Sequence, residues 1–554
     1  MSSILDSTQG LRFAGGAAPT AAEDLVQRLE QLNAIGASLS AERDIDRLLE
    51  AILTAAKTIT RADGGTLYRV TEERTLRFEI VRTSSLKFYL GGTTGNPIPF
   101  YPIQLYKDGK PNHNMVAAHV AITGETVNIA DAYTAEGFDF SGTRAFDSKT
   151  GYRSKSFLTV PMRNHENEII GVLQLINAQD PRGGEIVAFS SSDQRLAESL
   201  ASQAAIALTN RMLINQLEQL FESFIKLINT AIDEKSPYTG GHCQRVPMLT
   251  MLLAEAVNET KEGPLKDFSM SEKDRYELKI AGLLHDCGKV TTPVHVVDKA
   301  TKLETIFDRV QLIDTRFEVL KRDAELESLK RRTSLKPMEA AEEDKRLRER
   351  LRQLDDDRKF LHACNVGGER MRDEDIDRVR RIARYRWRDV SGHEASFLTD
   401  DEARNLTIRA GTLTEDERKV INHHIVATIR MLEALPWPRH LTNVPEYAGG
   451  HHERMDGKGY PKGLTREQMS VQARCMGIAD IFEALTAKDR PYKKGKTLSE
   501  SLEILGRMKL NQHVDPDLFD IFVRRRVYRR YADMFLDPEQ IDEVDESKIP
   551  GYGA

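Results

Sequence analysis

The sequence predicts a multidomain α+β protein: an N-terminal antiparallel sheet covered by helices, a long coiled-coil linker helix, and an all-α C-terminal domain carrying a helical-hairpin insertion. Three observations predict it. Apolar residues alternate with period two in two places between residues 60 and 180. They recur at helical spacing without Gly or Pro from Asp193 to Pro237, and helical spacing dominates beyond Ser236. At 554 residues the chain is too long for one hydrophobic core.

After a loose start over residues 1–20, residues 22–59 give two amphipathic helices with Leu25, Leu29, Leu32, Leu48, Leu49 and Ile52 at helical spacing. Leu76, Phe78 and Ile80 then alternate with Arg77 and Glu79. Leu158, Val160 and Met162 do the same before a turn at Asn164 to Asn167, which predicts a hairpin continuing into IIGVLQLIN. Along the next helix, Ile206, Asn210, Leu213, Leu217, Leu220, Phe224 and Leu227 alternate steps of four and three. That seven-residue seam suits a parallel homodimer, with Asn210 fixing register; a single helix packed on its own domain is the alternative.

Leu303 to Thr412 is very polar, with KRLRERLRQLDDDRK at its centre and Leu347, Leu351 and Leu354 as a thin apolar stripe interrupted upstream by Pro337. A projecting helical hairpin follows, its charge run either a solvated face or a partner-binding arm. The expected division is 1–20 flexible, 21–209 an α+β domain with flanking helices, 210–234 linker helix, 235–530 all-α domain with its insertion at about 305–410, and 531–554 tail.

A formal charge of -6 with 30% charged residues argues against a nucleic-acid surface or a polybasic membrane surface. Cys243, Cys287, Cys364 and Cys475 are scattered, so neither a disulfide framework nor a zinc knuckle is expected, and a reducing cytoplasm fits. No signal peptide and no run of ~18 apolar residues is present, which predicts a cytoplasmic protein.

The chemistry gathers in the second half. His242 opens HCQRV, His285 and Asp286 lie in LLHDCGK, His424 ends INHH, His451 and His452 begin HHERMDGKGYPKG, and Asp480 lies in GIADIFEAL. Neutral imidazoles and carboxylates suit iron, manganese or zinc, a carboxylate can bridge two ions, and seven such groups exceed what one ion needs.

The order H…HDxGK…H…HHExxDGxGYP…D resembles the HD-GYP phosphodiesterases over residues 233–305 and 412–525. The resemblance implies an all-helical domain with a binuclear Fe or Mn centre that hydrolyses cyclic di-GMP to pGpG or GMP through a metal-bridging hydroxide. Carried over, His242, His285, Asp286 and Asp480 hold one ion, and Asp286, as a bridge, shares the second with His424, His451 and His452. His424 is preferred to its neighbour His423 because LTEDERKVIN matches the family's LTxxE helix. Tyr238 replaces a glutamate found where a third ion binds, so two ions are expected.

Lys289, a helical turn beyond His285, is suited to the scissile phosphate. The resemblance places Arg490 and Lys493 of DRPYKK near phosphate or guanine. Gly459, Tyr460 and Pro461 form the GYP turn, with Glu453, Asp456 and Tyr460 as its supports. Diguanylate cyclases of the GGDEF type are candidate partners by the same resemblance. Lys488 and the long insertion depart from the usual pattern.

FDSKTGYRSKSFLTVPM and IIGVLQLINAQ resemble a GAF domain over about 40–210, particularly those of cyclic-nucleotide-regulated phosphodiesterases and cyclases. Asn177, Phe189 and Asp193 match their signature, whereas Ala178 and Gln194 replace its lysine and glutamate. A cyclic nucleotide is thus one candidate ligand, beside an unknown ligand or a purely dimerising unit. For the whole chain the competing readings are a cyclic-dinucleotide binding protein and a dinuclear-iron oxygenase.

Overall fold

The computed structural model describes residues 21–236, 241–368, 370–488 and 495–553, without the side chains of residues 21–23. The chain divides into two units, Met1–Phe221 and Glu222–Ala554.

In the first unit, helices Ala21–Ala41 and Ile45–Thr60 precede the sheet. Asp44 starts the second by accepting the Arg47 amide at 2.8 Å, which satisfies one of the free amides at a helix start. Strands β1 (Ala62–Val70), β2 (Thr75–Thr83), β3 (Phe88–Gly91), β4 (Val127–Ile129), β5 (Phe157–Arg163) and β6 (Ile169–Gln179) lie in the order β3-β2-β1-β6-β5-β4, every neighbour antiparallel. Short strands Ile103–Gln104 and Ile186–Val187 extend β2 and β6. The hairpin of β5 and β6 pairs Leu158 with Leu175 and Val160 with Leu173, so both apolar sets face one core. Helices Ala21–Ala41 and Ile45–Thr60 and the first turns of Ser191–Lys235 cover that face.

Straight alternation would place Leu76, Phe78 and Ile80 on one face. Instead Leu67 pairs with Ile80 but Tyr68 with Phe78, so Glu79 is the extra residue of a β-bulge. Ile80 consequently packs under the helices, while Leu76 and Phe78 turn to the opposite face with Tyr68.

Helix Ser191–Lys235 runs 45 residues. Its seam residues Ile206, Asn210, Leu213, Leu217, Leu220, Phe224 and Leu227 are all exposed in the single chain. Leu217 and Leu227 reach 65% exposure.

The second unit is helical around the histidine cluster. Its insertion is more than a hairpin: Val310–Arg332 and Pro337–Asn365 are joined by helix Asp373–Ala383, a two-stranded hairpin of Arg386–Arg388 with Glu394–Ser396, and helix Asp400–Leu406. Phe317, Leu354, Leu361, Val379, Ile382 and Phe397 give this body a core of its own. Of the stripe Leu347, Leu351 and Leu354, only Leu354 is fully buried, and Pro337 begins a helix rather than breaking one. Among the described residues, no helix is long and apolar enough to cross a membrane.

Candidate metal centre

Four helices and two turns bring the ligands together. Helix His242–Asn258 begins at His242, and helix Glu272–Leu284, started by a Ser271–Asp274 capping box, delivers His285 at its end and Asp286 after it. LTxxE acts here as a capping box. Thr414 Oγ1 accepts the Glu417 amide at 3.3 Å and Glu417 returns a carboxylate oxygen to the Thr414 amide at 2.8 Å, which fixes where helix Glu415–Glu433 starts and so where His424 points. Lys299, almost wholly buried, donates to Glu417 at 2.8 Å and to Asn405 at 2.9 Å, tying that helix start to the insertion's end.

Three histidines are oriented in one way. His285, His424 and His451 set Nδ1 at 2.7, 2.5 and 2.6 Å from the carbonyls of Gly282, Ile421 and Ala448, each three residues earlier. A carbonyl only accepts, so the proton sits on Nδ1 and a lone pair on Nε2 faces the centre. His242 is held by a carboxylate instead: its Nδ1 lies 2.6 Å from Glu483 Oε2, and Arg245 donates to the other Glu483 oxygen at 2.7 Å. Glu483, one turn beyond Asp480 on helix Val471–Thr486, escaped the sequence analysis; its spacing of three from a ligand on a helix was the available signal.

Asp286 stands between two groups. Its Oδ2 lies 3.0 Å from His242 Nε2 and 3.2 Å from His285 Nε2, whereas Oδ1 faces His424 Nε2 at 3.3 Å. Asp480 is 3.4 Å from His242 Nε2, and His452 Nε2 is 3.2 Å from His424 Nε2. Ligand atoms within 4.8 Å of one another define His242, His285 and Asp480 as one group, His424, His451 and His452 as a second, and His285, Asp286 and His451 as a group linking them. His423 is exposed and His424 buried, which separates the two adjacent candidates.

The electrostatics fit cations. Asp286 Oδ1 and His451 Nε2 are buried acceptors without a hydrogen-bond partner, a cost of several kcal/mol unless a cation meets them. Burial and the neighbouring imidazoles hold His451 well below its usual pKa, and burial brings His452 down to about 4, so both present neutral nitrogen. Burial opposes ionisation of Asp286, yet Lys289 and His285 keep its carboxyl well below the usual range. His242 runs the other way: burial and Lys289 press on it, but hydrogen bonds to Asp286, Asp480 and Glu483 lift its pKa well above the ordinary value, so it must give up a proton to take an ion. Burial raises the thiols of Cys243 and Cys287 to about 12 and about 11, so the donor set is nitrogen and oxygen rather than thiolate.

Lys289 sits in the 3-10 turn Cys287–Thr291, not on a helix face shared with His285, and its ammonium lies 2.5 Å from Asp286 Oδ2. Behind the centre, Glu453 accepts the amides of Lys462 at 2.7 Å and Leu464 at 2.9 Å, and Tyr460 stacks on His452 with ring centroids 4.9 Å apart. Gly457 adopts a φ of 74°, and a side chain on Gly459 would meet Glu453 Cα at 2.5 Å. The Tyr460–Pro461 bond is cis. Asp456 pairs with Arg454 at 2.8 Å. Arg490, Lys493 and Tyr238 lie outside the described residues. Lys488 pairs with Asp537 at 2.7 Å on the surface.

The three signature residues of the first unit do other work. Asn177, with a φ of 60°, accepts the Lys155 amide at 2.7 Å and donates to Arg153 O at 2.8 Å; Phe189 belongs to the core; Asp193 pairs with Arg28 and caps Ser190. None lines the cavity of about 460 Å³ on the other face of the sheet, whose walls include Phe78, Phe88, Phe140, Phe146, Tyr152 and Gln174.

Residues 44–208 match the GAF domain family, and residues 239–361 and 400–518 each match an HD domain family. A cyclic di-GMP phosphodiesterase of Pseudomonas aeruginosa is 38% identical over 116 residues, which is 21% of this chain and 27% of that protein. A 3'3'-cGAMP-specific phosphodiesterase of Vibrio cholerae is 35% identical over 116 residues, 21% of this chain and 26% of that protein. The chain thus spans only about a quarter of the length of these relatives. The solved GAF domain of an Acinetobacter phosphoenolpyruvate-protein phosphotransferase aligns with 34% of this chain and 96% of its own at 16% identity, with a TM-score of 0.25. The chain joins an N-terminal stretch that matches the GAF domain family to a C-terminal part that matches HD domain families.

Proposed function

We propose that the HD unit hydrolyses a cyclic dinucleotide, cyclic di-GMP first, to pGpG or GMP with two divalent ions, Fe or Mn. The observation that supports it most is the division of the Asp286 oxygens between two histidine groups. His242, His285, Asp286 and Asp480 would hold one ion, and Asp286, His424, His451 and His452 the other. Bound there, such ions supply an acidified water and neutralise phosphate charge. The chain's own residues do the rest. Lys289 offers a half-buried ammonium for a phosphate oxygen, and although burial pulls its pKa down, Asp286 and Asp480 raise it overall, so it stays charged. Neutral His451 and His452 keep their nitrogens available, and Tyr460 braces His452. The test is purification under reducing, anaerobic conditions with Fe(II) or Mn(II), then chromatography of cyclic di-GMP and 3'3'-cGAMP reactions. Bound metal without product from either would overturn this function.

The exposed seam from Ile206 to Leu227 supports a parallel homodimer as the working state. Leu217→Asp should halve the mass measured by sedimentation; an unchanged mass would exclude the seam as the interface. The aromatic cavity supports a flat small-molecule ligand for the GAF unit, cyclic nucleotides being the first to titrate calorimetrically. No heat with cAMP or cGMP would exclude them.

A further inference from the structure

We propose that Lys235, the last residue of the linker helix, is a positioning residue for Lys289; the inference rests on the phosphodiester-hydrolysing function proposed above. Its ammonium donates to the backbone carbonyls of Lys289 at 3.3 Å, Val290 at 2.5 Å and Thr292 at 2.6 Å. An ammonium has three protons, and these carbonyls at the end of a 3-10 turn match that number and carry the negative end of its dipole. The following residue adds a second tie, because Ser236 Oγ donates to the Asp298 carboxylate. Ile232, Val294 and Val297 line the small space beside them.

The end of the helix that begins at Ser191 therefore grips the segment carrying Asp286 and Lys289. Lys289 reaches Asp286 only while the backbone of that turn keeps its place. A shift of the linker helix by one residue moves its end ~1.5 Å along the axis, enough to break hydrogen bonds of this length. Lys235 is thus the contact through which a change in the linker's register would reach the phosphate-binding ammonium.

The test uses the full chain loaded with Mn(II) and inorganic phosphate as the probe, titrated calorimetrically. Lys235→Met should weaken phosphate binding about ten-fold, as should Lys289→Met. The double variant should bind no more than about two-fold more weakly than Lys289→Met alone, because Lys235 acts through Lys289. Lys235→Gln, with two donors in place of three, should fall between wild type and Lys235→Met. Manganese content and melting temperature should stay at wild-type values in both Lys235 variants. Multiplying effects in the double variant, a Lys235→Met protein that binds as wild type, or a wild type that binds no phosphate overturns the proposal. Phosphate binding that depends on both lysines without hydrolysis of any cyclic dinucleotide leaves the positioning role standing and removes the phosphodiesterase function instead.

Discussion

Asp286→Asn is expected to leave a folded protein that keeps neither metal ion and turns over a cyclic dinucleotide at least about a thousand-fold more slowly, about 4 kcal/mol of transition-state stabilisation. The amide fills the same space, so packing at this buried position is retained. What it loses is the charge that both groups share, since Oδ2 serves His242 and His285 and Oδ1 faces His424. Half of the replacement is also a donor, aimed at nitrogens that need a cation. Lys289→Ala is the contrasting case: it should keep both ions and slow hydrolysis about a hundred-fold, because it removes the phosphate contact proposed above rather than a ligand. Metal content by elemental analysis, melting temperature and product chromatography on the same preparations check both. An Asp286→Asn protein with two ions per chain would remove the carboxylate from the centre of the site.

Much of this arrangement was legible because local signals carry it. Thr414 and Glu417 announce a helix start, and the match of LTEDERKVIN to the family's LTxxE helix singled out His424, which is buried while His423 is exposed. The hairpin of β5 and β6 and the continuity of the long helix likewise depend on spacing within one element. What escaped depends on partners distant in sequence. Glu483 gains its role only from His242, 241 residues away. The bulge at Glu79 reverses the faces of a strand whose letters alternate without fault. The insertion read as a bare hairpin because its core residues Phe317, Val379 and Phe397 come from separate elements and leave each element mostly polar. Asn177 and Asp193 were polar residues in a suggestive order, yet their partners are backbone amides and Arg28 rather than a cavity.

Gly288→Val is expected to cost on the order of 4 kcal/mol and to abolish binding of the second ion. Among the letters of HDCGK this glycine asks for the least chemistry and permits the closest approach. A Cβ added to it would stand 2.0 Å from the carbonyl oxygen of His424, 2.6 Å from the amide of Thr428 and 2.7 Å from its hydroxyl. Thr428 Oγ1 also accepts the Gly288 amide at 2.9 Å, so turn and helix are bonded as well as packed. All of these neighbours but the hydroxyl are backbone atoms of one helix, and they cannot rotate away as a side chain would. The helix must move, and His424 moves with it, away from Asp286 Oδ1. His242, His285 and Asp480 come from other elements and should still hold the first ion. Denaturant unfolding should therefore show the lost stability, while elemental analysis finds one ion per chain in place of two. Wild-type stability together with two ions would mean that the close approach of this turn and this helix does not set the position of His424.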